Sequence, residues 1–409
     1  MSLLTLKEAA RTSVLSSRWR YLWTFFIGHM VFNEDEWQIN WSSLVTQINQ
    51  IMKLHKTMSL EGFTVDFCKI DSVEDIDHWI EFAAKKRVKK LQLIFGSKTS
   101  AALGKCFTTI RLQHNWNFES LKVVWLAKLK VRHEVVNYLL SNSPNLEKLH
   151  LRDLEVLSEL LVPSSCLKLR YLRVLRCYQL RKIEIFARSL EVFTYCGFNP
   201  EIEFKEPHKL RMLWGGDRRD TLRTLSDLMA HFYKIFPMRQ LKRLGLDLRT
   251  QKQQHPLDAK QFGLPNLNFL NLVIAPREGD EMLSWMYLLQ LAPVLHTLEI
   301  YISWEHGFIQ ELERFDMHRM QLNRCIKVVR VVQFVGLPNF DTQFVKTVIK
   351  YVKSLEKLII HPYRTAETPY LPTLTDEMEK QMNDNIAQLR EEELLPRGVE
   401  LVIEEGRNR

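Results

Sequence analysis

The sequence predicts an α/β solenoid, in which consecutive repeats build one curved sheet of parallel strands. The first observation behind this prediction is a pattern of the form apolar-x-x-apolar-x-apolar, which recurs from Leu60 to Leu355. The second is its period, because successive copies begin between 20 residues (Leu190 to Leu210) and 33 residues (Val88 to Leu121) apart. The third is that several intervening segments place apolar residues at helical spacing. Such recurrence is typical of repeats that each supply one strand and one return segment.

The copies of the pattern have the period and the leucine content of leucine-rich repeats. The weakest copy is LRMLWG at Leu210, because Gly215 and Gly216 favour a break in the strand. The copies read LEGFTV, VKKLQL, LKVVWL, LEKLHL, LRYLRV, LEVFTY, LRMLWG, LKRLGL, LNFLNL, LHTLEI, IKVVRV and LEKLII.

The longer return segments are predicted to be helical, with Ser72 as the N-cap of the first helix. Between Leu146 and Trp214 the copies lie close together, and extended or 3₁₀ returns are expected there. The expected helical faces are Val73, Ile76, Ile80 and Ala83; Val135, Val136, Leu139 and Leu140; Leu225, Leu228, Met229, Phe232, Ile235 and Phe236; Met282, Leu283, Met286 and Leu289; and Phe344, Val345, Val348, Ile349 and Val352.

Both ends of the chain differ from the repeats. At the C-terminal end, residues 376–389 are predicted to form an exposed helix, and Val399, Leu401 and Ile403 alternate as a final strand that caps the solenoid. At the N-terminal end, residues 4–23, LTLKEAARTSVLSSRWRYLW, predict an amphipathic helix because their apolar residues fall mostly three, four or seven apart.

The N-terminal run LKEAARTSVLSSRWRYLW closely resembles the second half of a plant F-box. The first half of that motif is absent, and Thr5 stands where the family usually has a proline. The segments WIEFAAKKRVKKLQL and CIKVVRVVQFVGLPNFDTQFVKTVIKYVKSLEKLII, together with the repeats, resemble plant F-box proteins with leucine-rich repeats and an FBD-type C-terminal region. The resemblance covers nearly the whole chain.

The resemblance implies that the chain is the substrate-recognition adaptor of an SKP-cullin-F-box ubiquitin ligase and transfers nothing itself. Its partners would be an SKP-type linker protein, a cullin and an unknown protein substrate. The residues expected to contact the linker are the apolar residues of the retained half-motif, Leu15, Trp19, Leu22 and Trp23. The implied regions are residues 1–32, a partial F-box; 33–59, a helical linker; 60–320, leucine-rich repeats; 321–365, FBD-type final repeats; and 366–409, a charged helix and capping strand.

The N-terminal run has other interpretations. A solvated amphipathic helix needs no partner, and an Arg- and Ser-rich segment with Glu8 as its only acid before Asn33 also fits a mitochondrial transit peptide. A signal peptide is disfavoured because the apolar run at residues 21–32 contains Trp23 and His29 and lacks a small-residue cleavage site. The main functional alternative is a leucine-rich-repeat protein-binding module without ligase coupling, because the F-box is incomplete.

A binding surface is predicted on the concave face of the sheet. Side chains alternate along a strand, so the apolar positions of each copy face the core and the third, fifth and seventh positions line the concave face. Because exposed Trp, Tyr and Arg dominate binding energies at interfaces, we expect a protein segment with acidic and apolar residues to bind there. Solvated strand faces, or a register that makes the aromatic residues core, are the alternatives. The predicted substrate-binding residues are Trp125, Lys148, His150, Arg152, Tyr171, Arg173 and Trp214, with Arg243, Asp247, Glu299, Tyr301, Arg330 and His361 further along.

Composition argues against several other classes of protein. The 57 basic residues exceed the 48 acidic ones by only 9, so nucleic-acid binding is not expected, and no apolar run approaches the ~18 residues of a membrane span. The six cysteines lack C-x-x-C spacing and are expected to be reduced thiols. The 13 histidines are not grouped at ligand spacing, so no metal or cofactor is expected. Phosphate-loop, zinc-protease and nucleophile-elbow motifs are missing, so no catalytic residue is expected.

One short basic run, Lys85 to Lys90, resembles a nuclear import signal. The alternative is a solvated junction between a helix and a strand, where basic residues favour the helix C-terminus. The expected location of the protein is the nucleus, the cytoplasm or both.

Overall fold

Each copy of the repeat pattern forms a strand that begins two residues after the first residue of the copy. In the copy LEKLHL, Leu146 is buried ahead of the strand. Leu149 and Leu151 face the core, whereas Lys148 and His150 point the other way. The pattern sets the strand position because residues two apart along an extended segment lie on one face. One parallel strand per repeat confirms the predicted α/β solenoid class.

The computed structural model describes residues 4–33, 37, 41–67, 73–95, 116–198, 200–205, 209–217, 224–249, 257, 259–275, 285, 287–304, 325–336, 341–363, 375–391, 395 and 398–404. The chain divides into two compact units, Met1–Lys209 (unit 1) and Leu210–Arg409 (unit 2). The predicted N-cap Ser72 and the predicted helical residues Met282, Leu283 and Met286 lie outside the described residues.

Unit 1 contains two parallel sheets within its described residues. Its strands are β1 (His29–Asn33), β2 (Gly62–Phe67), β3 (Lys90–Phe95), β4 (Val123–Ala127), β5 (Lys148–Arg152), β6 (Glu159–Val162), β7 (Tyr171–Leu175), β8 (Lys182–Ile185), β9 (Val192–Gly197) and β10 (Glu201–Phe204). Its helices are α1 (Leu6–Arg11), α2 (Trp41–Leu54), α3 (Val73–Lys85) and α4 (His133–Ser141), with 3₁₀ turns at Thr12–Val14 and Leu22–Phe25. The main sheet has the order β1-β2-β3-β4-β5-β7-β9, and the second sheet has the order β10-β8-β6.

The second sheet is formed by the returns of the short repeats. Copies starting at residues 146, 169, 190 and 210 are 23, 21 and 20 residues apart, which leaves little room for a helix after each strand. The returns are extended, as predicted, and neighbouring returns pair in parallel. Their apolar residues Leu160, Ile183 and Ile202 are buried.

The main sheet begins one repeat earlier than predicted. Residues 27–32, IGHMVF, also satisfy the repeat pattern and overlap β1, which pairs with β2. Met30 and Phe32 are fully buried. The expectation that the strands begin after Leu60 is therefore wrong. The copy at residues 27–32 is hard to recognise because it lies within the apolar run at residues 21–32. The predicted helical linker contains α2, which is the return helix of this first repeat.

The N-terminal run does not form the continuous helix that its spacing predicts. The helix α1 ends at Arg11, and 3₁₀ turns follow. Hydroxyl side chains explain the break: Thr12 Oγ1 donates to the Ala9 carbonyl at 2.7 Å, and Ser16 Oγ accepts from the Trp19 amide at 3.4 Å. Such bonds offer the backbone an alternative to helical pairing. Thr5 is the N-cap of α1 and forms a capping box with Glu8, three positions later.

Unit 2 contains one parallel sheet within its described residues, in the chain order of its strands. These are β11 (Met212–Asp217), β12 (Arg243–Asp247), β13 (Phe269–Ile274), β14 (Thr297–Ile302), β15 (Val328–Phe334), β16 (Lys357–Pro362) and β17 (Glu400–Ile403). The helices are α5 (Leu225–Ile235), α6 (Ala259–Phe262), α7 (Tyr287–Leu291), α8 (Asp341–Tyr351) and α9 (Asp376–Glu391), with a 3₁₀ turn at Met238–Gln240.

The glycines of LRMLWG do not interrupt their strand. β11 runs through Gly215 and Gly216, contrary to the expected break. Both positions are tightly enclosed: a Cβ atom on Gly215 would lie 2.7 Å from Phe232 Cζ, and one on Gly216 would lie 2.5 Å from Asp247 Cβ. Glycine is required there because neighbouring side chains approach the backbone closely.

The C-terminal helix α9 is predicted to be exposed, but one of its faces is packed against the fold. Met382, Ile386 and Leu389 are buried, and the Asn385 side chain donates to the Gly336 carbonyl at 2.6 Å. The spacing of these apolar residues, four and three apart, gives the helix one packed face. The strand β17 then pairs with β16 in parallel, at the position predicted for the final strand.

A buried carboxylate joins the end of β15 to the start of α8. Asp341 is fully buried, and its Oδ2 atom accepts hydrogen bonds from the Val335 amide at 2.6 Å and the Gly336 amide at 2.8 Å. Its Oδ1 atom accepts from the Thr342 amide at 2.9 Å. A charged acceptor at the start of a helix satisfies amides that helix geometry leaves unpaired.

Candidate functional site

The fifth position of each repeat copy forms one continuous row across the main sheet of unit 1. Strand register aligns Thr64, Gln92, Trp125, His150, Arg173 and Thr194 in that order. The third positions, including Lys148 and Tyr171, form a second row, and the seventh positions, including Arg152, form a third. The structure thus brings together six of the seven predicted substrate-binding residues. The seventh, Trp214, belongs to unit 2.

Trp125 and His150 stack at the centre of this face. Their ring centroids lie 5.4 Å apart with an interplanar angle of 30°. Burial, with smaller contributions from the positive charges of Arg173 and Lys148, lowers the pKa of His150 to about 4. Trp125 Nε1 and His150 Nδ1 are buried and have no hydrogen-bond partner within the part of the chain that the structure describes. The imidazole is therefore neutral at pH 7 and sits in a positive field.

Exposed cations flank the stacked rings. Lys148 Nζ lies 5.0 Å from the centroid of the Tyr171 ring, in cation–π contact, and Tyr171 and Arg173 are exposed. Arg152 is more constrained, because its Nε atom donates to Asp153 Oδ2 at 3.2 Å. These residues supply aromatic surface and positive charge side by side.

The strand ends next to Arg152 are held by a bidentate ion pair. Arg176 donates through Nε to Asp153 Oδ1 and through Nη2 to Asp153 Oδ2, both at 2.7 Å. Asp153 and Arg176 both have positive φ, of 52° and 53°, as does Lys128 at the end of β4. The Lys128 amide donates to the Arg152 carbonyl, and the Asp153 amide donates to the Leu175 carbonyl, each at 2.9 Å. The left-handed residues therefore link each strand end to the next.

Sequence reasoning missed the polar start of the fifth-position row. His29 Nε2 and Thr64 Oγ1 are 2.7 Å apart, and Thr64 Oγ1 donates to Gln92 Oε1 at 2.9 Å. Burial lowers the pKa of His29 to about 4, with a smaller contribution from the charge of Lys90. Thr64 and Gln92 occupy the same repeat position as Trp125, which was the available signal.

The predicted residues of unit 2 are engaged in internal contacts. Glu299 accepts from Asn271 at 2.8 Å and from Arg330 at 3.3 Å. Asp247 is buried and pairs with Arg249 at 2.6 Å. These contacts engage the carboxylates of Glu299 and Asp247 within unit 2. Two further predicted residues contact neighbours: Arg243 lies 4.2 Å from the centroid of the Phe269 ring, and His361 Nε2 lies 3.4 Å from Glu404 Oε2.

Trp214 lies across Gly245, the fifth-position residue of the adjacent strand β12. A Cβ atom at position 245 would collide with the indole ring. We therefore expect Gly245→Ala to lower the free energy of unfolding by about 1–2 kcal/mol, because the indole must move off the strand. Chemical denaturation measures the effect.

A double-mutant cycle separates this collision from other effects at position 245. In the Trp214→Ala background, Gly245→Ala should be neutral or stabilising, because the obstacle is gone and alanine orders a strand better than glycine. The same loss of stability in both backgrounds would show that the indole is not the cause.

Exposed apolar side chains form a patch along the N-terminal run. Leu15 is 69% exposed, Trp19 42% and Leu22 39%. Trp23, the fourth residue predicted to contact the linker, is half-buried. The exposed patch also includes Val14, Tyr21, Phe25 and Ile27.

Two lysines of the basic run at residues 85–90 contact other parts of the fold. Lys86 Nζ donates to the His55 carbonyl at 3.0 Å and the Thr57 carbonyl at 2.7 Å. Lys89 pairs with Glu61 at 2.8 Å. An import signal requires an accessible basic segment, and Lys85, Arg87 and Lys89 are exposed, so both interpretations of the run stand.

Two features are absent from the described residues. No group of three or more His, Cys, Asp or Glu side chains that could hold a metal ion occurs among them. No helix among them is long and apolar enough to cross a membrane.

Comparison with known proteins identifies the repeats. The family model described as At1g61320/AtMIF1, LRR domain, matches residues 102–391. F-box/FBD/LRR-repeat protein At1g13570 of Arabidopsis thaliana is 30% identical over 167 residues, which cover 36% of this chain and 40% of that protein. F-box/FBD/LRR-repeat protein At1g51370 of the same plant is 28% identical over 159 residues, which cover 36% of each. Putative FBD-associated F-box protein At3g50710, also from Arabidopsis thaliana, is 23% identical over 351 residues, which cover 76% of each.

These matches agree with the resemblance drawn from the residues themselves. The chain spans two fifths or less of the first two relatives and about three quarters of the third. The family model covers well over half of the 409 residues. The chain belongs to the leucine-rich-repeat family described as At1g61320/AtMIF1, LRR domain, and its relatives are plant F-box, FBD and leucine-rich-repeat proteins.

Proposed function

We propose that this chain is the substrate-recognition adaptor of an SKP-cullin-F-box ubiquitin ligase. The observation that carries the proposal is the exposed apolar patch of the F-box-like run, in which Leu15, Trp19 and Leu22 face solvent. Exposed aromatic and leucine side chains clustered on one short segment are typical of a protein interface. The names of the relatives, which identify them as F-box proteins, support an SKP-type linker as the partner.

In this proposal the sheet of unit 1 holds the protein substrate. Trp125, His150, Tyr171 and Arg173 form an aromatic and positively charged face of the kind that dominates binding energy in protein complexes. Lys148 and Arg152 extend the charge along β5. The adaptor itself carries out no transfer, and it positions the substrate for the enzymes of the ligase.

Capture of a purified plant SKP-type linker by the full chain tests the ligase proposal. Replacing Leu15, Trp19 and Leu22 together with alanine should reduce capture at least about tenfold, because aromatic anchors contribute most of the affinity of such interfaces. The control replaces Val156, Leu161 and Leu167 with alanine, since these are 39%, 37% and 74% exposed and lie outside the run. The control variant should capture the linker as well as the parent chain.

The alternative function is a protein-binding module without ligase coupling. The short length of α1, which ends after six residues, favours it because the run lacks a long helical anchor. If neither the parent chain nor the control variant captures the linker while both remain folded, the module is the correct assignment. Folding is checked by circular dichroism on the same samples.

A further inference from the structure

The strands at the centre of unit 1 distribute charge unevenly between the two sheets. β3, β4, β5, β7 and β9 of the main sheet contain no Asp or Glu, and they carry Lys148, Arg152 and Arg173 on one face. The second sheet, in contrast, contains Glu159, Glu184, Glu201 and Glu203.

We infer that the main-sheet face of unit 1 binds an extended protein segment with acidic residues at alternate positions. This inference rests on the proposed role of the face in holding a protein substrate, and it specifies the chemistry of that substrate. Two observations support it: the charge of the face and the spacing of its cations.

The charge of the face is not neutralised by its neighbours. The acids that border it have cations of their own, because Glu147 pairs with Lys122 at 3.2 Å and Glu191 with Arg170 at 3.8 Å. Asp153 is shared by Arg152 and Arg176, so this group of three keeps one net positive charge. Arg173 has no ion pair among the described residues. A positive face without acids attracts and retains an anionic partner.

The spacing of the cations matches an extended peptide. Lys148 and Arg152 are four residues apart on β5, which is about 13 Å at ~3.3 Å per residue. Arg173 lies opposite His150, midway between them and one strand across, about 4.8 Å away. Residues i, i+2 and i+4 of an extended segment project to one side over the same ~13 Å. Three alternating carboxylates can therefore approach the three cations in order.

The experiment measures binding of labelled decapeptides to the full chain by fluorescence anisotropy. One peptide has Glu alternating with Thr, and the other has the same composition with its Glu residues in adjacent pairs separated by two Thr residues, so that no three of them stand at i, i+2 and i+4. The alternating peptide is expected to bind at least about fivefold more tightly, because only its carboxylates match the cation spacing. Equal binding of the two peptides would overturn the inference.

A charge exchange tests the assignment of Arg173. Arg173→Glu should weaken binding of the alternating peptide at least about tenfold, and a peptide with its central Glu replaced by Lys should recover the loss. The control is Arg181→Glu, which makes the same charge change at an exposed arginine just before β8 of the second sheet. An equal loss in the control, or no recovery by the Lys peptide, would overturn the inference. So would displacement of the peptide by a ten-nucleotide oligothymidine at a lower concentration than by unlabelled peptide.

The linker-capture experiment tests the proposed function independently of this inference. Arg173→Glu should leave linker capture unchanged, because the residue lies outside the N-terminal patch. Linker capture without binding of either peptide would overturn only the inference. Binding of the alternating peptide without linker capture would support the inference and assign the chain as a binding module.

Discussion

Asp341→Ala is expected to lower the free energy of unfolding by about 3–5 kcal/mol. The carboxylate accepts three backbone hydrogen bonds while fully buried, and alanine would leave the amides of Val335, Gly336 and Thr342 unsatisfied. The loss should reach α9 as well, because Asn385 of that helix bonds to the Gly336 carbonyl. The transition that contains unit 2 is therefore expected to shift most.

Urea denaturation followed by circular dichroism measures this loss. The matched control is Asp376→Ala, which removes an exposed aspartate from the first turn of α9 and should cost less than about 1 kcal/mol. Similar losses for the two variants would mean that the three buried hydrogen bonds do not stabilise unit 2.

Acidification from pH 7 to pH 4.5 is expected to destabilise the chain partly through His29 and His150. Both have a pKa near 4 in the folded chain, because burial and nearby positive charges disfavour the imidazolium, against 6.5 for an ordinary histidine. Between these values the unfolded chain binds more protons than the folded chain, so unfolding is favoured as the pH falls. The stability is fully present above pH 6.5 and is lost towards pH 4, by about 1–2 kcal/mol for each histidine.

The double variant His29→Gln/His150→Gln isolates this contribution from that of the carboxylates. Its free energy of unfolding should fall by roughly 2–4 kcal/mol less than that of the parent chain over the same pH change. The groups that face the two imidazoles are Lys90, Lys148 and Arg173, which stay charged throughout. His296→Gln, at an exposed position, should behave like the parent chain. A double variant with the parent's pH dependence would contradict the assignment.

The positions of the main-sheet strands after β1 could be predicted from the sequence with little error. Wherever apolar residues stand at positions one, four and six of a copy, the strand begins at position three, because the core admits only one register. In LRMLWG the strand also begins at position three, although Gly215 stands at position six and the glycines suggested a break. The expected break was wrong because a glycine in a strand can also leave room for a side chain that packs against the backbone, such as Phe232. Tertiary contacts of this kind are not visible in the sequence.

The site could be predicted in part. The alternation of side chains identified the row that contains Trp125, His150 and Arg173, and the structure places these residues together. The contacts of Glu299 with Asn271 and of Asp247 with Arg249 could not be predicted from the sequence. They depend on which neighbouring side chains reach across the strands or along the chain. The interrupted N-terminal helix was missed because apolar spacing carries no information about hydroxyl groups that bond to the backbone.

The repeats that carry the proposed binding face are tied together on two sides. β5, β7 and β9 are hydrogen-bonded in the main sheet, and the returns that follow them, β6, β8 and β10, are hydrogen-bonded in the second sheet. Two parallel ladders resist both sliding and twisting of one repeat against the next, since either motion would break bonds in both sheets at once. This part of the chain is therefore a stiff template that a partner meets already ordered. The loss of conformational entropy on binding then falls on the partner, which suits recognition of a flexible segment.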